Sequence, residues 1–317
     1  METAVSPRVS VIVPAFKIAE FIAEAIEGVL AQTFEDWELI VINDGSPDTQ
    51  DLELALAPYR DFIVYLNQEN KGAGAARNAG MRVARGEFVA FLDGDDIWFP
   101  NFLSSQLELI QSSDGYDLVY ADALNFGDSE PEGRTSMATN PSEGEVTFER
   151  LIASRCCVIT STVLVRRQCL VDVGFMDDRF PNSQDFDLWL RLVKDANARV
   201  TYQRKVLVRR RIYPGSLARD AVKSLRGELA VLNKMSERKD LSQSEKDLIK
   251  EIIALREAMV DRTLGKRSLL NGEFKAAIES FVAANRVLRS WKLTMVLIGL
   301  RVAPNLVRLA SRSRSVN

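Results

Sequence analysis

Four runs rich in Val, Ile and aromatic residues recur in the first third of the chain, at residues 9–14, 37–43, 62–67 and 88–92. Between them, at 20–31, 49–59 and 72–84, apolar positions repeat at helical spacing. Strand alternating with helix predicts an α/β domain built on a Rossmann-like, mostly parallel sheet flanked by helices. Residues 116–216 continue the same domain, with short strands at 117–120, 161–165 and 206–210, a Gly-, Ser- and Glu-rich loop at 127–144 and one helix at 185–194. From residue 217 strand signals vanish and helical periodicity takes over, with a polar break at 236–244, which predicts a C-terminal α-helical appendage. Within it, residues 265–288 have the spacing of a single tetratricopeptide-like hairpin, with Gly272 at the turn and Phe274, Ala277 and Phe281 on one face. A lone unit of that kind serves docking rather than a repeat array. The expected boundaries are 1–115, 116–216 and 217–317.

Each early strand ends in polar or special residues. In an open α/β sheet the carboxyl edge is where ligands collect, so Pro14-Ala15-Phe16, Asn43-Asp44-Gly45-Ser46 and Asp93-Gly94-Asp95 should share one rim. The acidic segment Asp93-Gly94-Asp95-Asp96 carries the most chemistry. Three carboxylates in four residues repel one another and stay ionised comfortably only around a cation, which points to a divalent metal holding a phosphate. In an extended segment Asp93 and Asp95 point the same way, and Gly94 leaves room for a ligand to approach the backbone. The plainer reading is a polar loop whose aspartates cap a helix beginning near Pro100.

Composition narrows the chemistry. The 317 residues include no histidine, which excludes imidazole triads, zinc sites with histidine and His general bases. Acid–base work falls to carboxylates, Lys or Tyr. Three cysteines, two of them adjacent at Cys156 and Cys157, give neither a disulfide framework nor a zinc pattern, and a reduced, cytoplasmic setting is expected. The apolar stretch at 9–13 is too short for a signal peptide and ends at Pro14, so it reads as a first strand.

The net charge of −3 hides an asymmetry. From residue 280 onward there are seven basic residues (Arg286, Arg289, Lys292, Arg301, Arg308, Arg312, Arg314) and no acidic one, so the rest of the chain is more acidic than the total implies. Leu288, Trp291, Met295, Ile298, Val302, Leu306 and Leu309 fall near one helical face of that tail. The unbroken apolar part, 293–300, is too short to span a bilayer. Two readings stay open: an interfacial helix on anionic lipid at the inner face of the membrane, or a stripe that docks on the catalytic domain.

Taken in order, VSVIVPAF, VINDGS, NKGAGAARNAG, FLDGDD and SQDFDLWLRL resemble the family 2 glycosyltransferases with the A-type nucleotide-sugar fold, over roughly the first two-thirds of the chain. The glycine-rich stretch is no dinucleotide fingerprint, because the third glycine would fall at Arg77. The resemblance implies an inverting, metal-dependent transferase that moves a sugar from a nucleoside-diphosphate-sugar, UDP-sugar favoured, to a hydroxyl of a glycan or lipid-linked acceptor in cell-surface polysaccharide or glycolipid synthesis. No nucleic-acid partner is expected. It makes residues 1–115 the donor half and 116–216 the acceptor half.

Residue by residue, the resemblance has Asp44 accept a hydrogen bond from the base, where the residues alone allow an Asx-turn equally well. Pro14, Ala15 and Phe16 line the nucleoside pocket, although Lys17 stands where relatives carry Asn. Arg77 contacts the nucleotide-sugar, Asp93 and Gly94 the ribose or sugar, and Asp95 holds Mg²⁺ or Mn²⁺, which acts as a Lewis acid on the leaving diphosphate. Asp185 becomes the catalytic base, with Asp187 the next candidate; on position alone Asp185 equally suits a helix first turn. Two departures stand out: Gln184 where relatives have Glu or Asp, and Tyr213 where many have a His contacting metal or diphosphate. Tyr is a poor Mg²⁺ ligand, so Arg209 to Arg211 could supply part of the charge. The competing functions are a nucleotidyltransferase, whose Gly-rich basic loop this N-terminus lacks, and a weakened transferase kept as a binding subunit.

Overall fold

The computed structural model describes residues 6–112, 115–127, 133–216 and 220–313. The chain divides into two compact units, Met1–Ser216 and Leu217–Asn317.

The first unit is built on one eight-stranded sheet. Its elements are β1 (Val9–Ala15), α1 (Ile22–Leu30), β2 (Trp37–Asp44), α2 (Thr49–Leu56), β3 (Ile63–Gln68), α3 (Ala73–Val83), β4 (Phe88–Phe91), β5 (Ile97–Trp98), α4 (Phe102–Ile110), β6 (Leu118–Phe126), α5 (Ser136–Thr139), α6 (Phe148–Ile152), β7 (Val163–Arg166), α7 (Arg167–Asp172), α8 (Gln184–Lys194) and β8 (Val200–Arg211). The strand order is β3-β2-β1-β4-β7-β6-β8-β5. β3, β2, β1 and β4 run parallel, β7 runs against both neighbours, β8 is parallel to β6, and β5 closes the edge antiparallel to β8.

The central strands are apolar on both faces because helices cover both. Val9, Val11, Val13 and Ala15 of β1 and Phe88 and Ala90 of β4 join the core that α1 and α4 complete. The opposite face meets α3 at Gly80, where a Cβ would stand 2.7 Å from Ile12 and 2.9 Å from Ile42. Parallel strands in that register bring the ends of β1, β2 and β4 to one rim.

The sheet is longer than the sequence pattern indicates. β6 runs on to Phe126 and β8 starts at Val200; the buried Asp122 and Asn125 in the one and Thr201, Gln203, Arg204 and Lys205 in the other break the apolar run that marks a buried strand. β5 is two residues long, held by β8 and by α1, which packs so close at Gly28 that a Cβ there would stand 3.1 Å from the Trp98 nitrogen. The three cysteines are all free.

The second unit is helical: α9 (Ala221–Ser236), α10 (Gln243–Asn271), α11 (Phe274–Leu288), α12 (Trp291–Val302) and α13 (Pro304–Ser313). Ser242 and Glu245 form a capping box at the start of α10, and Gly272, at φ +87°, ends it in the left-handed conformation that lets the chain reverse into α11. Ala277 and Phe281 of α11 pack on Leu269, and Phe281 lies over Gly265. The hairpin at 265–288 therefore exists, but its first arm is one 29-residue helix rather than a short repeat helix. Arg314 lies outside the described residues.

Candidate active site

Three strand ends and one helix start meet around the acidic segment. Asp44 is the last residue of β2 and is buried. One carboxylate oxygen accepts from Gln68 Nε2 (2.7 Å) and the Lys71 N–H (2.9 Å), the other from the Gly72 N–H (2.8 Å). Asp44 thus fixes the entry to α3. The Asx-type contact in this loop belongs instead to Asn43, whose Oδ1 accepts from the Ser46 N–H at 2.9 Å. Gly45, at φ +60°, approaches the Asn70 backbone so closely that a Cβ would stand 2.6 Å from its nitrogen.

Of the three residues at the end of β1 and just past it, Ala15 is fully buried in the core, Pro14 is half-buried, and Phe16 is 41% exposed. Only Phe16 offers an aromatic face to a ligand. Lys17 holds a left-handed φ of +56° and places its Nζ 5.3 Å from the Phe16 ring centre. Its N–H donates to Ser46 Oγ (2.7 Å) and the Ala19 N–H to Asp48 (3.1 Å), so the loops after β1 and β2 are tied together. Burial pushes the Asp48 carboxyl up, but the hydrogen bonds from Ser46 and nearby backbone outweigh it and leave it below the usual carboxylate range.

The acidic residues are individually compensated. Asp93 pairs with the buried Arg77 of α3, and its N–H donates to Ser161 Oγ (3.1 Å). Asp95 is pushed up to about 6, by burial first and by the charge of Asp93 second, against a hydrogen bond donated by Tyr213 and the charge of Arg210. Asp96 is buried and raised further by the same causes; it accepts from Ser161 Oγ (2.6 Å) and the Arg211 N–H (2.9 Å). Arg211 also donates to the Asp95 carbonyl (3.0 Å) and to Glu24 (2.9 Å). Tyr213 does reach the acidic segment, and burial together with Asp95 pushes its phenol up to about 12. Of Arg209, Arg210 and Arg211, it is Arg210 whose charge acts on Asp95 and Asp96, while Arg209 and Arg211 stack against Phe126 at 4.3 and 4.6 Å.

Gly94 is glycine for a packing reason. A Cβ there would stand 2.2 Å from Ile18 Cδ1 and 3.0 Å from Ile22 Cδ1, so the space is filled by α1 and its approach rather than left open for a ligand.

Asp185 lies in the first turn of α8, whose preceding residue Ser183 adopts a left-handed φ of +62°. Its carboxylate accepts from Thr160 Oγ1 and the Phe186 N–H, at 2.9 and 2.8 Å. Asp187, the other candidate base, is fully buried and paired with Arg191 at 2.7 Å, while the Arg191 guanidinium also donates to the carbonyls of Val173 and Phe175. That is a structural role. Gln184 is buried with its Cγ 3.1 Å from where a Cβ on Gly74 would lie, which places the start of α8 on the start of α3. Gln184 Oε1 and Arg77 Nε have no hydrogen-bond partner among the described residues.

The residues that sequence reasoning missed are Thr160 and Ser161, in the tight turn Thr160–Thr162 before β7. Neighbours in the chain, they bond Asp185 and Asp96 respectively, and so couple the two acidic centres. A run of three hydroxyl residues, Thr160-Ser161-Thr162, inside an apolar strand pattern is the available signal. No group of three or more carboxylate or thiol side chains is arranged to cage a metal among the described residues, so a cation here would depend on ligand oxygens as well.

Comparison with known proteins settles the family. The profile described as glycosyl transferase family 2 matches residues 10–170, about half of the chain. The chain belongs to that family. It carries a family 2 glycosyltransferase domain, and the matched span holds every site residue above except Asp185 and its neighbours on α8 and the residues around Tyr213. An uncharacterized glycosyltransferase from Rickettsia felis is 28% identical over 65% of this chain, but the match covers only 34% of that longer protein. The UDP-Glc:alpha-D-GlcNAc-diphosphoundecaprenol beta-1,3-glucosyltransferase WfgD of Escherichia coli is 28% identical over 71% of this chain and 85% of its own. In fold, the chain is similar to S. aureus TarS 1-349 in complex with UDP-GlcNAc, with a TM-score of 0.64 at 20% identity over 97% of this chain and 91% of that one. It is similar also to the mannosyltransferase PcManGT from Pyrobaculum calidifontis in complex with GDP-Man and Mn²⁺, with a TM-score of 0.62 at 14% identity over 98% and 85%.

Ser161→Ala should destabilise the protein by about 1–3 kcal/mol, because the buried Asp96 loses a donor and the Asp93 N–H an acceptor. Urea unfolding measures this, and an unchanged midpoint would show that the turn does not hold the acidic segment.

Proposed function

We propose that this glycosyltransferase transfers a hexose from a UDP-sugar, with inversion and with a divalent cation, to a hydroxyl of a glycan or lipid-linked acceptor on the cytoplasmic side of a membrane. The observation that carries the reading is the pair of hydrogen bonds from adjacent Thr160 and Ser161 to Asp185 and Asp96, which joins the proposed base to the acidic segment. The choice of UDP and of a lipid-diphosphate acceptor draws support from the activity named for WfgD and from the ligand of TarS.

Residues 1–115 hold the donor. Phe16 stacks on the base, and Asp44, three of whose roughly four lone-pair positions are occupied, accepts the base N–H with the one remaining. Asp93 and the backbone at Gly94 meet the ribose or sugar. Arg77 Nε and Gln184 Oε1, buried and unpartnered, turn to the diphosphate and to a sugar hydroxyl.

The donor set fits Mg²⁺ or Mn²⁺. Asp95 is a hard oxygen ligand whose carboxyl is raised to about 6 by burial and by a neighbouring charge, strain that a cation relieves, and Mg²⁺ is commonly held by one or two carboxylates plus phosphate oxygens. The bound ion neutralises charge that builds on the departing UDP. Tyr213 orients Asp95 rather than replacing it as ligand.

Residues 116–216 supply the acceptor side. Asp185 takes the proton from the acceptor hydroxyl as that oxygen bonds to the anomeric carbon, while the bond from that carbon to the diphosphate oxygen breaks on the opposite face. Thr160 and the Phe186 N–H hold the carboxylate by two donors, which keeps it aimed.

UDP binding followed by calorimetry should lose most of its affinity when EDTA is added or when Asp95 becomes Ala, since the diphosphate then faces an acidic rim without compensation. Equal affinity in all three cases would remove the metal role. Asp185→Asn should keep UDP affinity and lower turnover by roughly 10²-fold or more, because a base acts in the transition state. Normal turnover by that variant would place the base elsewhere.

A further inference from the structure

The last two helices are apolar on both sides, and only one side is used. Leu293 and Leu300 of α12 are buried with Phe281 and Ala284 of α11, and Val296, Leu297 and Val307 pack against the same cluster. The other side of α12 and α13 presents Trp291 (72% exposed), Met295, Ile298, Val302 (80%), Leu306 and Leu309, all at least half exposed. They follow one another at intervals of three or four residues, the spacing of one helical stripe. The stripe seen in the sequence is thus not the face that docks within this unit. The docking face is its opposite.

A run of large apolar side chains in water calls for a partner. Charge decides which one. Exposed Arg289, Lys292 and Arg301 flank the stripe, and no acidic residue occurs from residue 280 to the end of the sequence. A second copy meeting this face about a twofold axis would set like charges against like. No helix among the described residues is long and apolar enough to cross a bilayer, and α12 ends before Pro304 begins α13, so the face fits a surface rather than a span.

We infer that the outer face of α12 and α13 is a docking surface for anionic phospholipid, with Trp291, Met295, Ile298 and Val302 entering the interface and Arg289, Lys292 and Arg301 meeting the headgroups. A packed helix whose exposed side carries Trp and other apolar residues with Lys and Arg beside them can bind in this way. The purpose rests on the proposed lipid-linked acceptor, which would keep the enzyme where its substrate lies; the lipid chemistry stands independently of it.

The test is co-sedimentation of the full chain with vesicles of phosphatidylglycerol and phosphatidylcholine, against vesicles of phosphatidylcholine alone, alongside the double variant Trp291→Glu, Ile298→Glu. Both positions are exposed, so the fold and UDP-sugar hydrolysis should be retained. The full chain should pellet with the anionic vesicles only, and the variant or high salt should reduce the bound fraction by about tenfold or more. Failure to pellet with anionic vesicles, or equal pelleting by the variant, overturns the inference. So does light scattering that finds a dimer converted to monomer by the variant, which would make the face a contact between copies. Vesicle binding by a protein without UDP-sugar hydrolysis would uphold the lipid surface and count against the transferase reading alone.

Discussion

Charge repulsion among Asp93, Asp95 and Asp96 is the constraint around which the catalytic unit is organised. Three carboxylates stand within four residues at a half-dry sheet rim, where burial raises the proton affinity of Asp95 and Asp96 and the charges of their acidic neighbours add to it. Each has therefore acquired its own compensating group from a different part of the chain: Arg77 from α3 for Asp93, Tyr213 for Asp95, and Ser161 with the Arg211 backbone for Asp96. Those donors span more than a hundred residues. Holding them together requires β7 and α3 to begin, and β8 to end, near the end of β4, which the mixed sheet achieves.

Compensation is incomplete at two places. Asp96 stays raised in spite of its two donors, sealed in by burial, and Asp95, which has only Tyr213 and the charge of Arg210 against burial and Asp93, keeps a carboxyl raised to about 6. A buried carboxylate that the protein leaves under-compensated is a ligand site in physical terms, because a cation there recovers the interaction that the fold withholds. Asp44 shows the contrary arrangement. Its three donors make it a rigid fixture, and what it can still accept is defined by the single direction they leave.

Much of this was legible in the amino-acid order. The four strands and the shared rim followed from apolar runs that end in special residues, and the first four of the five segments that carry the family resemblance fall on the span that the family profile matches, while SQDFDLWLRL lies beyond it. What escaped were features with no local signature. Residues 200–205 and 121–126 look too polar for strands because Gln203, Arg204 and Lys205 in the one and Asp122 and Asn125 in the other interrupt the apolar pattern. β5 is too short for any periodicity. The reason for Gly94 could not be read either, since Ile18 and Ile22 come from a different segment and only the fold brings them to it. Thr160 and Ser161 were hidden for the same reason: their partners lie 25 and 65 residues away.

The central claim is that the acidic rim binds a nucleoside diphosphate through a metal on Asp95. The most direct measurement is a crystal structure of the protein with UDP and Mg²⁺. The account predicts an Asp95 carboxylate oxygen about 2.1 Å from the ion, diphosphate oxygens completing its shell, and the uracil ring against Phe16 with its N–H on Asp44. A metal bound without Asp95, or UDP bound away from the ends of β1, β2 and β4, would contradict it.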